Sequence, residues 1–196
     1  MRILTITAAA LVALAAAACD NTDSNNQVST DANLTEGDNA ANAALGAGLD
    51  QPATAMPMAG ADFAKAVAAS DLYEIESAKL AAEKAQSAEI KSFAEHLRTD
   101  HEQSTKELSD AAKQANITVT PALDAEKQSM LDQLKAATGA DFDRRFIDQQ
   151  TTAHQKAMAM LQNYASAGDT ESLKTFAGKA STVVKGHLDH LDSIRK

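Results

Sequence analysis

The chain has 196 residues, 44% of them hydrophobic but only 4% aromatic, with no Trp, 8 Gly, 3 Pro and a single Cys. That bounds it to one modest domain with tails, and a lone thiol excludes an internal disulfide framework and a Cys-based zinc ribbon. A net charge of -9, from 18 basic and 27 acidic side chains, argues against a partner recognised through its phosphates, so no nucleic acid is expected.

Arg2 supplies a short basic start, and Ile3 to Ala18 then carries no charge. Leu4, Ile6, Leu11, Val12 and Leu14 make this stretch apolar, yet it is too short for a spanning helix, so residues 1–18 read as a secretory signal. It ends in Ala15-Ala16-Ala17-Ala18-Cys19, which resembles a bacterial lipobox, where small residues precede a Cys that receives lipid and becomes the new N-terminus. Ordinary cleavage after the Ala run, leaving a free thiol, is the alternative. Lipid on Cys19 makes the membrane a partner and puts the protein in the bacterial cell envelope, on the periplasmic side. Beyond the Cys, residues 19–61 hold six acids and no Lys or Arg. With so little apolar area to offset chain entropy, they read as a disordered acidic tether. Residues 62–196 carry 21 acidic against 17 basic side chains, so much of the net charge belongs to the tether.

From Asp62 the hydrophobic period is helical. Asp62 caps a predicted first helix that runs to about Gln86, and Ser87 caps a second that runs to about Ala115, where Asn116 to Pro121 break the pattern. A shorter third helix fits Asp124 to Thr138, ended by Gly139. Asp141 opens a fourth to about Ala167, and after Gly168 a fifth, capped by Asp169 or Thr170, runs nearly to Lys196. Four are long, roughly 36–42 Å at 1.5 Å per residue. The prediction is an all-α domain over residues 62–196: a four-helix bundle with a short extra helix in the connection between two helix pairs.

Apolar stripes support it. The second helix repeats Ile90, Phe93, Ala94, Leu97, Leu108 and Ala111, the fourth Phe142, Phe146, Ile147, Ala157, Leu161 and Tyr164, and the fifth Leu173, Phe176, Ala177, Val184, Leu188 and Leu191. On the first helix Ala66, Ala69, Leu72, Tyr73 and Leu80 are the expected buried face. What interrupts each stripe points to chemistry. At about 100° per residue, His101, His154 and His187 fall among the apolar positions of their helices, and Glu76 falls between Leu72, Tyr73 and Leu80. Glu76 and His101 lie roughly 16 and 21 Å from the first turn, and His154 and His187 roughly 22 and 27 Å from the last. Each pair is level, near mid-bundle. His96 and His190 fall off or at the edge of their stripes.

Three imidazoles and a carboxylate converging in an apolar interior need a partner. A metal ion is one solution, since neutral His nitrogen and carboxylate oxygen suit Zn, Cu, Fe or Mn, with Asp100 and Gln150 available to hydrogen-bond the ligands. A hydrogen-bonded polar layer that sets helix register without binding anything is the other.

The ordered set Asp71-Leu72-Tyr73-Glu74-Ile75-Glu76, Lys91-Ser92-Phe93-Ala94, Asp100-His101, Leu123-Asp124-Ala125-Glu126, Ala140-Asp141-Phe142-Asp143, Asp148-Gln149-Gln150, Ala153-His154 and His187-Leu188 resembles the bacterial envelope proteins grouped as domain of unknown function 4142. The resemblance spans about residues 62–194. It implies a ferritin-like four-helix bundle, secreted or membrane-associated, with Glu76, His101, His154 and His187 at recurrent inward polar positions, and it implies no reaction. No Glu-x-x-His pair of the di-iron pattern occurs on any helix, so a mononuclear His-rich site is the closer expectation. Three functions remain open: an envelope metal-binding protein, a structural or stress-related envelope protein, and an enzyme. No Ser-His-Asp set, Gly-x-Ser-x-Gly or phosphate loop supports the last.

Overall fold

Three-residue turns set the pairing of the helices. In the computed structural model, which describes residues 58–195, α1 (Gly60–Lys84) and α2 (Ala88–Gln114) are joined across residues 85–87, and α4 (Gly139–Ala167) and α5 (Glu171–Ile194) across residues 168–170. The short α3 (Ala125–Ala136) lies in the connection between these hairpins, and the described residues contain no strand. None of the described helices is long and apolar enough to cross a membrane. The predicted leader, Cys19 and nearly all of the expected acidic tether lie outside the described residues.

Around the bundle the order is α1, α2, α5, α4, with α3 packed on α1 and α4. Gly60 lies against Thr170 and Tyr164, at the α4–α5 turn, whereas Gly139 lies beside Gln86, at the α1–α2 turn. Every neighbouring pair is therefore antiparallel. The α2–α4 connection travels the full length of the bundle, which distinguishes a ferritin-like crossover from a simple up-and-down bundle.

Local chemistry fixes some helix ends and packing fixes others. The Ser87 hydroxyl accepts from the Ile90 N–H and the Asp124 carboxylate from the Lys127 N–H, as expected of caps. By contrast α1 begins two residues before Asp62, with no side-chain cap at Ala59. Its start is held by Phe63, stacked on Tyr164 with ring centroids 3.8 Å apart. There is no room at Gly60 for a side chain, because a Cβ would stand 2.5 Å from Thr170 Oγ1. Gly139 does not end α3. It opens α4 at a φ of +59°, a conformation glycine adopts without steric cost.

The interior divides into two apolar clusters. One, at the α4–α5 turn end, gathers Phe63, Val67, Leu108, Leu161, Tyr164, Leu173 and Phe176. The other, at the α1–α2 turn end, gathers Ile90, Phe93, Leu97, Leu134, Phe142, Phe146 and Leu191. Between them the buried side chains are polar: Asp71, Glu74, Ser77, His101, Gln150, His154 and His187.

The α1 face departs from the expected one. Its bundle-facing stripe is Ala64, Val67, Ala68, Asp71, Glu74, Ala78 and Ala81, while Leu72 and Leu80 are only half-buried and line a groove shared with Leu123 and Leu131 of the α3 segment. Helix α1 is covered on two sides. Its largest aliphatics serve the outer one and its small residues the inner one, where close packing needs them.

Candidate metal centre

One polar group from each of α2, α4 and α5 reaches the centre of this layer. His101, His154 and His187 are all buried, and their ring centroids form a near-regular triangle with sides of 5.7, 5.5 and 5.2 Å. One ligand nitrogen from each lies within 4.8 Å of the others.

The far nitrogen of every ring has an oxygen partner. His101 Nδ1–H donates to Asp71 Oδ1 at 2.8 Å, His154 Nδ1–H to the Gln150 carbonyl at 2.9 Å, and His187 Nε2–H to Asp100 Oδ2 at 2.9 Å. Such partners select the tautomer and orient the ring, as they do around bound metals. In the neutral rings they leave three lone pairs facing inward, on His101 Nε2, His154 Nε2 and His187 Nδ1. His154 Nε2 and His187 Nδ1 are 3.1 Å apart, a spacing that suits two nitrogens of one hydrogen bond or of one bound ion. His101 Nε2 is buried with no hydrogen-bond partner.

Charges around the triangle are arranged unevenly. Burial pushes His154 down to about 3, with His101 and His187 adding to the effect, so it is a neutral donor. His187 is also held below its ordinary range by burial, against the opposing Asp100 hydrogen bond. For His101 burial acts downward too, but the hydrogen bond and charge of Asp71, together with Glu74 and Asp100, outweigh it and leave the group above its ordinary range. A cation arriving at His101 displaces whatever proton is held there.

The carboxylates of α1 correct the sequence reading. Glu76 is not brought to the cluster. Its side chain is 43% exposed and pairs with Lys79 at 2.8 Å, on the face that α3 flanks. The buried acids are Asp71 and Glu74 instead, 2% and 1% exposed. Glu74 Oε1 stands 3.8 Å from His154 Nδ1, and burial pushes the Glu74 carboxyl up to about 7. A signal for both was present: Asp71 and Glu74 continue the three- and four-residue steps of Val67, Ala68, Ala78 and Ala81. Gln150 uses its backbone carbonyl on His154, and its side-chain amide donates to Ser77 Oγ at 2.9 Å. Of the remaining histidines, His96 is exposed and His190 is half-buried edge-on to Phe93.

The donor set fits a borderline transition metal. Nitrogens bound 2.0–2.1 Å from one ion stand at most about 4.2 Å apart. His154 and His187 meet that limit as they are, and a closing shift of under about 1 Å brings in a nitrogen anywhere within the 4.8 Å spread.

Comparison with known proteins agrees with this fold. A family model described as "Domain of unknown function (DUF4142)" matches residues 46–194, and the chain belongs to that family. No curated protein matches it. Among solved structures, CopM in the Cu(II)-bound form is similar at 22% identity and a TM-score of 0.60, covering 70% of this chain and 96% of CopM. CopM in the Cu(I)-bound form is similar at 23% identity and a TM-score of 0.57, covering 68% and 93%. The Ag-bound form obtained by co-crystallization gives 22% and 0.57, covering 69% and 93%.

Proposed function

We propose that this DUF4142 chain holds a single transition-metal ion, copper first among Zn, Cu, Fe and Mn, through His101 Nε2, His154 Nε2 and His187 Nδ1. The observation that carries the reading is the convergence of three imidazole nitrogens within 4.8 Å of one another, each ring held by an oxygen on its far side, with one of the nitrogens buried and unpartnered. A layer that served only helix register would gain nothing from a buried ring nitrogen left without a partner. Copper is favoured because Cu²⁺ binds nitrogen sites most tightly among divalent first-row ions, and because neighbours of the same fold have been captured with copper and silver. Asp71 and Asp100 orient the ligands and offset the ion's charge. The function is binding or buffering of the metal; no substrate is assigned.

We place this activity at the bacterial envelope, on the periplasmic side, with the chain anchored through lipid on Cys19. The uncharged Ile3–Ala18 stretch ending in four Ala and the chain's one Cys supports it. Labelling cells with a radioactive fatty acid tests the anchor: the label should appear on the protein and vanish in Cys19→Ala.

The metal reading is tested on the untagged chain without its leader, by elemental analysis and by thermal unfolding under titration with Cu²⁺ and Zn²⁺. One ion per chain is expected, with native-state stabilisation reaching about 2.7 kcal/mol at a hundredfold excess over Kd, and His154→Ala should remove it. No bound metal and no concentration-dependent shift would leave the layer as a register device.

A further inference from the structure

On the α4–α5 turn side of the histidine layer each bundle helix carries a small side chain: Ser70, Ser104, Ala157 and Ala180. They leave a cavity of about 120 Å³, walled by Val67, Leu161, Phe176 and Val184. Of the three histidines only His101 borders it, and the inward nitrogen of that ring is sealed from solvent, so the cavity and the metal centre are separate sites. A closed void would only cost stability. This one reaches the surface between α2 and α5, where the lining residues Asp100, Gln103, Glu107, Lys179 and Val183 are exposed. Val183, 45% exposed, is one of two large hydrophobic side chains exposed among the described residues.

The charges at the mouth are not balanced. Asp100, Gln103 and Glu107 share one face of α2 at three- and four-residue steps, whereas α5 contributes a single cation, Lys179. Asp100 accepts from His187 and Glu107 from Gln103, and a carboxylate with one such donor keeps capacity for more. Asp71, deeper in the lining, is already engaged by His101 and Thr105. We infer that the cavity binds a small organic cation: a primary amine whose apolar body, of about benzene size, lies among Val67, Leu161, Ala180 and Val184, with its ammonium at the mouth on the acidic α2 side. An apolar interior with a few placed polar groups is the general form of a ligand pocket. Size sets the body, since an apolar cavity of ~150 Å³ accommodates benzene and this one, somewhat smaller, leaves the head outside. Charge sets the head. An ammonium at the wet rim keeps its hydration and gains the field of two carboxylates, while an anion there would face the same acids.

The test titrates the metal-free chain at neutral pH with three probes of one shape, benzylamine, benzyl alcohol and benzoate, followed by amide chemical shifts in NMR and by calorimetry. Benzylamine should give a saturable shift centred on Val67, Ala180 and Val184 and bind at least tenfold more tightly than benzoate, with the alcohol between them. Asp100→Asn combined with Glu107→Gln should bring benzylamine down to the affinity of the alcohol. Ala180→Phe, which fills the cavity, should weaken benzylamine at least tenfold; if it fails to fold, Ser104→Leu fills the cavity from the opposite wall. The inference is overturned by the absence of a saturable benzylamine shift, by benzoate binding as tightly, by an amine preference that survives loss of both acids, or by a folded, filled variant that binds benzylamine like the native chain. No metal is present at any step, so none of these outcomes bears on the metal reading.

Discussion

At the α4–α5 turn end, Phe63 lies flat on Tyr164 and edge-on to Phe176, and the buried cluster around them is apolar. Two to three turns further along the same helices, imidazole, carboxyl, amide and hydroxyl groups face one another with almost no water contact. The first arrangement stabilises the fold by itself, at about 25 cal/mol for each Å² of apolar surface buried. The second does not: Glu74 Oε2, His101 Nε2 and Gln150 Oε1 are buried without partners, and each such atom costs about 1–3 kcal/mol. A bundle needs its ends to fold. Its middle is built at the expense of stability, which is how binding sites are commonly built.

The largest expected effect separates these two roles. Phe63→Ala removes a fully buried ring about 12 Å along α1 from Asp71 and should destabilise the protein by about 3–5 kcal/mol in denaturant titrations. Copper affinity of the fraction that remains folded should stay within a factor of a few. An equal loss of affinity would mean that the cluster and the layer are one unit.

A smaller and oppositely signed effect is expected inside the layer. The Glu74 pKa is raised by burial to about 7 from an ordinary 4.5, so the folded state holds this proton more tightly than the unfolded chain does. The associated stability is fully present below about pH 4.5 and is lost as pH rises through 7. Glu74→Gln, which cannot ionise, should therefore make the metal-free protein more stable at pH 8 by about 1–3 kcal/mol, at 1.36 kcal/mol per pKa unit, and change little at pH 4.5. His154 runs the other way. Held near 3 when folded, it contributes stability above its ordinary 6.5 that is lost as pH falls toward 3, and the variant, lacking the compensating Glu74 term, should show that acid-side loss more steeply. A Glu74→Gln chain less stable than the native one at pH 8 would show that the ionised carboxylate is satisfied.

Much of this division was legible in the sequence where a strong period met a chemical oddity. On α2, α4 and α5 regular apolar steps left His101, His154 and His187 as the exceptions, and the structure buries all three together. On α1 the period was ambiguous. Ala residues occur on every side of that helix, so the steps through Val67, Asp71, Glu74 and Ala78 competed with a second phase, and the two leucines that suggested it face α3 instead. Which side α3 covers depends on the crossover from α2 to α4, a long-range choice that local spacing does not encode. For the same reason the sequence did not reveal that the Asp143 carboxylate, 56 residues away, accepts from the Ser87 N–H and so braces the α1–α2 turn.

Glu76 gives the smallest expected effect and the sharpest check on that correction. Its carboxylate pairs with Lys79 one turn along the same helix, with both side chains roughly half exposed. Exposed pairs of this kind contribute about 0–1 kcal/mol, because solvent screens the attraction and ordering two long side chains offsets it. Glu76→Ala should thus shift the unfolding midpoint by a degree or two at most and leave copper affinity unchanged. Asp71→Asn, five residues away but hydrogen-bonded to His101 Nδ1, should weaken copper binding about 10- to 100-fold, as loss of a ligand's orienting partner generally does. If the two variants exchanged these outcomes, α1 would have to be rotated in the metal-bound protein so that the Leu72–Leu80 face turned inward. That rotation would expose the small-residue stripe on which the closeness of α1 to α2 and α4 depends.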